Sequence, residues 1–132
     1  MNRKLGVQVP PVLMNKYERT LAALDAGKDA EMSVFGNSMM PLIKTKSVVT
    51  YRRTGDYQIG DVVLVRLGGN YLTHKITKID GERYLISNNK GHDNGWVRKI
   101  LGRVIAVNGE PFGRAAKQHM EGETDERAVE PC

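Results

Sequence analysis

The sequence contains a single cysteine, Cys132, at its last position. That excludes an intrachain disulfide and a metal cluster built on thiolates. Aromatic residues are scarce, with two Phe, one Trp and five Tyr among 132 residues, too few to form a stacking platform for bases along a basic groove. Long apolar runs are also missing: stretches such as Val62 to Val65 cover only a few residues, whereas a bilayer span needs about 20. No membrane span is expected. Arg3 and Lys4 are basic, but Gln8, Asn15, Lys16 and Glu18 interrupt the segment after them, so the apolar segment of a secretory signal is lacking and the cytoplasm is the default location.

Hydrophobic residues at 40% and charged ones at 27% are ordinary for a folded soluble chain. A length of 132 residues suits one core. We expect an N-terminal extension over residues 1–31, a folded body over 32–113 and a disordered acidic tail over 114–132. The net charge of +5 is uneven: the tail holds 3 basic and 5 acidic residues, leaving 17 and 10 for the remainder. Such a surplus attracts nucleic acid or an acidic partner, yet the basic residues are scattered, so a nucleic-acid partner is not favoured over a solvated basic surface. A homodimer is compatible with the sequence, which does not fix an oligomeric state.

After Pro10-Pro11, the apolar spacing of Leu13, Tyr17, Leu21 and Leu24, ending at Gly27, predicts a helix over about 12–26. From Met32 the pattern changes to short β-type runs: Met32 to Phe35, Ser47 to Arg52, Asp61 to Leu67, Tyr71 to Ile79, Arg83 to Ser87 and Leu101 to Val107. Gly68-Gly69-Asn70, Asp80-Gly81 and Asn108-Gly109 tolerate positive φ and are expected to close turns, the first two of successive antiparallel hairpins. The body is read as mainly β.

Phe35-Gly36-Asn37-Ser38-Met39-Met40-Pro41 is arranged to present a serine. Gly36 lets the chain turn tightly, and Pro41 fixes the exit and stops a helix. Backbone N–H groups at such a bend can converge where an oxyanion develops during attack on a carbonyl; the other reading is a plain loop with a locally bonded serine. A serine hydroxyl needs a base. Leu72, His74 and Ile76 share one face of an extended strand while Lys75 takes the other, so His74 is either a general base beside an apolar face or a partly buried structural histidine.

Four blocks together resemble the LexA and signal-peptidase superfamily of serine peptidases, over about Met32 to Val107. Gly36-Asn37-Ser38-Met39-Met40-Pro41 is similar to its nucleophile signature Gly-x-Ser-Met-x-Pro. Gly60-Asp61-Val62-Val63 matches its Gly-Asp-x-Val segment, and Thr73-His74-Lys75-Ile76 falls where members carry the base. Leu85 to Asn89, then Gly102 to Val107, resemble the last strands. The resemblance implies a small, strongly bent antiparallel sheet or partly open barrel with a short N-terminal helix.

It also implies a Ser38 nucleophile and no cofactor; with His119 in the tail and no thiolate nearby, no metal site is expected. LexA-type repressors and bacterial signal peptidases use lysine as base; the endoplasmic-reticulum type uses histidine followed by a basic and an aliphatic residue, the pattern of His74-Lys75-Ile76. The base is therefore assigned to His74; members of the histidine type carry a further acid near the end of the domain, and Asp93, in Gly91-His92-Asp93-Asn94, is the candidate to orient it, the other reading being a loop aspartate in an Asx-turn. Gly36, Asn37 and Met39 are the candidate oxyanion and substrate-binding residues.

Two departures stand out. Neither the anchor of a signal peptidase nor the DNA-binding domain of a repressor is expected from the residues before the peptidase region; Ala26-Gly27 is expected to lie too close to Ser38 to loop back for cleavage in cis, which leaves self-processing in trans open. The sequence thus predicts a soluble Ser-His peptidase acting on a peptide or protein. The alternative is an inactive peptidase-like fold that binds a partner protein or nucleic acid.

Overall fold

Asn15 starts the helix: its side-chain oxygen accepts from the Glu18 amide at 2.8 Å while the Glu18 carboxylate accepts from the Asn15 amide at 2.9 Å, a reciprocal cap for two otherwise unpaired donors. Helix α1 (Lys16–Asp25) then runs to Ala26, and Gly27 at φ 80° lets the chain leave. The computed structural model describes residues 14–114. The expected helical positions 12 and 13, tail residues 115–132, His119 and Cys132 lie outside the described residues.

Eight strands follow: β1 (Ala30–Ser33), β2 (Val48–Arg52), β3 (Val62–Leu67), β4 (Asn70–Asp80), β5 (Arg83–Ser87), β6 (Asp93–Val97), β7 (Gly102–Val107) and β8 (Glu110–Pro111). They pair antiparallel in the order β1-β2-β7-β3-β4-β5-β6, with β8 on β7, and the sheet curls into a half-barrel. The expected mainly β fold with one short helix is the one observed. The glycine turns close as read: Leu67 pairs with Asn70 and Val107 with Glu110. Gly68-Gly69 and Asn108-Gly109 all have positive φ, the backbone that matches hairpin twist.

The curl buries both faces of β3. Val62 and Leu64 pack in one core cluster with Leu24, Met32, Met39, Ile43 and Tyr51, while Val63 and Val65 pack in a second with Ile76, Ile86 and Ile100. This explains the unbroken Val62-Val63-Leu64-Val65 run, since a strand covered on both sides loses alternation. Strands β6 and β8 were not legible in the sequence. Asp93-Asn94-Gly95 has turn chemistry, yet it pairs with β5 at the far edge of the sheet.

Asp61, of the Gly-Asp-x-Val segment, is buried. It accepts from the Gln58 amide at 2.8 Å and from both Nε and Nη2 of Arg114 at 2.9 and 2.8 Å. Arg114 thereby packs onto the body, although the sequence reading assigned it to the tail. Among the described residues no helix is long and apolar enough to cross a membrane.

Candidate active site

The loop between β1 and β2 carries Ser38 and is held at several points. Gly36 has φ 108°, a left-handed conformation that an L side chain rarely adopts, and it turns the chain directly before the serine. Met39 and Ile43 sink into the core at 4% and 3% exposure, and the Ile43 amide closes one turn on the Met39 carbonyl at 3.0 Å. From the β5–β6 loop, the Asn89 amide donates to the Ser38 carbonyl at 2.8 Å and its Nδ2 donates to the Met40 carbonyl at 3.0 Å. Lys75 Nζ, in turn, donates to Asn89 Oδ1 at 3.1 Å. Ser38 is flanked by anchored residues on both sides.

On β4 the alternation of faces turns His74 inward beside the fully buried Ile76 and directs Lys75 to Asn89. Ser38 Oγ and His74 Nε2 are 2.9 Å apart. His74 Nδ1 lies 2.6 Å from Asn94 Oδ1. An amide oxygen can only accept, so it fixes the proton on Nδ1 and leaves the Nε2 lone pair for the serine hydroxyl. Burial pushes the imidazole below its ordinary value of 6.5, against the opposing effect of the Asn94 hydrogen bond. The ring is therefore held neutral, the form that can take a proton.

Asp93 does not reach His74. Its Oδ1 accepts from Ser87 Oγ at 2.7 Å, and that hydroxyl is 2.8 Å from Thr77 Oγ1. The cause is a bulge: Ile86 pairs with Gly95 and Ser87 with Asp93, so Asn94 is the extra residue, and bulges of this kind re-aim a side chain. The side chain in contact with the His74 ring is therefore that of Asn94 and not, as expected from the sequence, that of Asp93. Gly95, at φ 147°, lets the backbone pass Leu67, where an added Cβ would sit 3.3 Å from Cδ1.

The candidate oxyanion residues divide. The Gly36 amide is committed to Thr45 Oγ1 at 3.0 Å. Asn37 is exposed, and its carbonyl accepts from the Met40 amide at 3.2 Å. Met39 is buried and lines the cavity beside the serine. The amides of Ser38 and Met39 donate to no acceptor among the described residues. The cavity measures about 270 Å³ and opens onto Ser38 and His74.

The curled antiparallel sheet thus brings a serine on a bent, anchored loop to hydrogen-bond distance of a buried histidine ring. The family described as Peptidase S24-like matches residues 11–105, well over half of the chain. The chain belongs to this family. Its membership agrees with the LexA and signal-peptidase resemblance of the motifs and makes this Peptidase S24-like chain a peptidase-fold protein. No curated protein matches it significantly. Within the family frame, Asn89 and Asn94 are the residues that sequence reasoning missed. Asn89 lay inside a quoted block without a role, and Asn94 sat beside Asp93 with no sign of the bulge that separates their directions.

Proposed function

We propose that this protein is a serine endopeptidase that cuts an extended peptide or protein segment by acyl transfer. Ser38 Oγ attacks the scissile carbonyl carbon as its proton passes to His74 Nε2, and the resulting imidazolium is oriented through Nδ1–H by Asn94. The tetrahedral oxyanion is held by the amides of Ser38 and Met39. Collapse breaks the C–N bond, with the His74 proton going to the leaving amine, and gives an acyl-Ser38 ester. Water, deprotonated by His74, then attacks the ester and releases the acid product.

The observation that carries this reading is the 2.9 Å separation of Ser38 Oγ and His74 Nε2, which lies within reach for direct proton transfer. Burial of the imidazole supports it, because a base held below 6.5 stays neutral at pH 7. By analogy with the family, the substrate lies extended along a strand edge. The test is incubation with a peptide pool from a digested proteome, followed by mass-spectrometric mapping of new termini. Wild type is expected to generate a defined set of cuts that Ser38→Ala and His74→Ala lose. Identical termini from wild type and Ser38→Ala would refute the proposal.

A further inference from the structure

Strand β1 ends the sheet and pairs only with β2 among the described residues. The Val34 amide donates to the Ser47 carbonyl and the Val34 carbonyl accepts from the Lys46 amide, so the backbone groups of Val34 face β2. Alternation then turns those of Glu31 and Ser33 outward. The Ser33 carbonyl is indeed met from outside, by Lys16 Nζ of α1 at 2.8 Å.

Two cavities lie along this edge. One, about 470 Å³, runs between α1 and β1 and is bounded by Arg19, Thr20 and Ala23 on the helix, by Asp29 before the strand and by Ala30 to Ser33 on it. The other is the cavity at Ser38 and His74. They share Lys16, Met32 and Ser33, so together they form one path along β1 that ends at the serine. The second cavity has an apolar wall of Val34, Met39, Ile43 and Leu72, closed on the helix side by Tyr17, whose ring stacks on Tyr71 at 4.7 Å and 13°. The Lys16 ammonium lies 4.8 Å from the centre of the exposed Phe35 ring.

We propose that α1 forms one wall of the substrate groove and selects, through Tyr17, peptides with large apolar side chains on the acyl side of the cut bond. The inference rests on the peptidase reading and goes beyond it by naming the substrate class. An extended peptide added to β1 pairs with the outward groups of Glu31 and Ser33, and Lys16 releases the Ser33 carbonyl to the incoming amide. Its first and third side chains before the cut share a face and enter the cavity. A volume of 270 Å³ is about nine times the share of one water, far more than an alanine methyl fills. By itself the family resemblance favours small side chains next to the cut bond. The Tyr17–Tyr71 wall points to larger ones.

The test uses peptide diphenyl phosphonates, which place a serine-reactive phosphorus at the position of the scissile carbonyl and so fix the register. Acetyl-Leu-Ala-Leu and acetyl-Ala-Ala-Ala phosphonates are compared by the rate of Ser38 adduct formation, read by intact mass. Each buried methylene is worth about fourfold in affinity, so wild type is expected to favour the leucine compound by at least about tenfold even in a partly open cavity. That ratio is expected to fall severalfold in Tyr17→Ala, which leaves the wall of Val34, Met39, Ile43 and Leu72, and to persist in Tyr17→Phe, which keeps the stack. An alanine preference in wild type, or an unchanged ratio in Tyr17→Ala, would overturn the inference while leaving the peptidase reading intact. Absence of any Ser38 adduct, including from a small fluorophosphonate that does not reach the helix, would overturn both.

Discussion

Replacing Asn94 by aspartate keeps the shape of the contact to His74 and changes only its charge. The carboxylate would sit where Asn94 Oδ1 now lies, 2.6 Å from Nδ1, and would favour the imidazolium. At an effective dielectric of about 20, unit charges 4 Å apart attract by about 4 kcal/mol, equivalent to about 3 pH units. Asn94 is half-buried, so solvent screening reduces the expected rise to about 1 to 2 units. The wild-type base, held below 6.5 by burial, stays neutral under mildly acidic conditions, and its reaction with a fluorophosphonate is expected to be level down to about that pH. In Asn94→Asp the acidic limb moves upward by about 1 to 2 pH units, with the adduct rate at pH 6 down about tenfold and the rate at pH 9 retained. The assay is the rate of Ser38 adduct formation by intact mass across pH 5 to 9. Coincident limbs for the two proteins, or a wild-type limb above pH 7, would refute the assignment of Asn94 and the neutral-base argument together.

Stability has a linked expectation: between the lowered folded value of His74 and 6.5 the unfolded chain binds more protons, so wild-type stability rises with pH across that window. A stability that falls with rising pH there would contradict a depressed imidazole, provided His74→Gln removes the slope. Gly95→Ala places a side chain at φ 147° and 3.3 Å from Leu67 Cδ1, with an expected loss of about 1 to 3 kcal/mol in denaturant unfolding and a slower Ser38 adduct rate, because Asn94 is the neighbour that moves. Arg114→Ala strips the buried Asp61 carboxylate of two donors. Breaking a fully buried pair costs about 3 to 5 kcal/mol, and the partial exposure of Arg114 lowers the expected loss to about 1 to 3 kcal/mol, measurable by urea unfolding; no loss would mean that Arg114 is not part of the folded body.

The fold was legible where chemistry is local. Glycine turns with two positive φ values, β-branched runs and the helix ending at Gly27 all specify their structure within a few residues. A glycine bend and strand alternation singled out Ser38 and His74 but left two readings open for each, and the four motif blocks decided between them; the structure brings the two side chains to 2.9 Å. Strand β6 was not legible, since its pairing arises from β5 and the close passage at Leu67 rather than from the propensity of Asp93-Asn94-Gly95. The same bulge decided which acceptor reached His74: Asp93 and Asn94 are adjacent, and only the register shift against β5 turns one toward Ser87 and the other toward the imidazole. The role of Asn89 was hidden for a different reason, because its contacts are to backbone carbonyls of a loop about 50 residues away, and no sequence pattern marks such a clamp. Tyr17, read only as one of the apolar positions that predict the helix, also lines the cavity that leads to the serine.

The central claim is that Ser38 and His74 share a proton closely enough to make the hydroxyl a nucleophile. It is tested most directly by treating wild type, Ser38→Ala and His74→Ala with a fluorophosphonate and locating the adduct by peptide mapping. The account predicts a single adduct on Ser38 in wild type, none in Ser38→Ala, and a rate at least about 100-fold lower in His74→Ala. Equal modification of Ser38 in wild type and His74→Ala would contradict it.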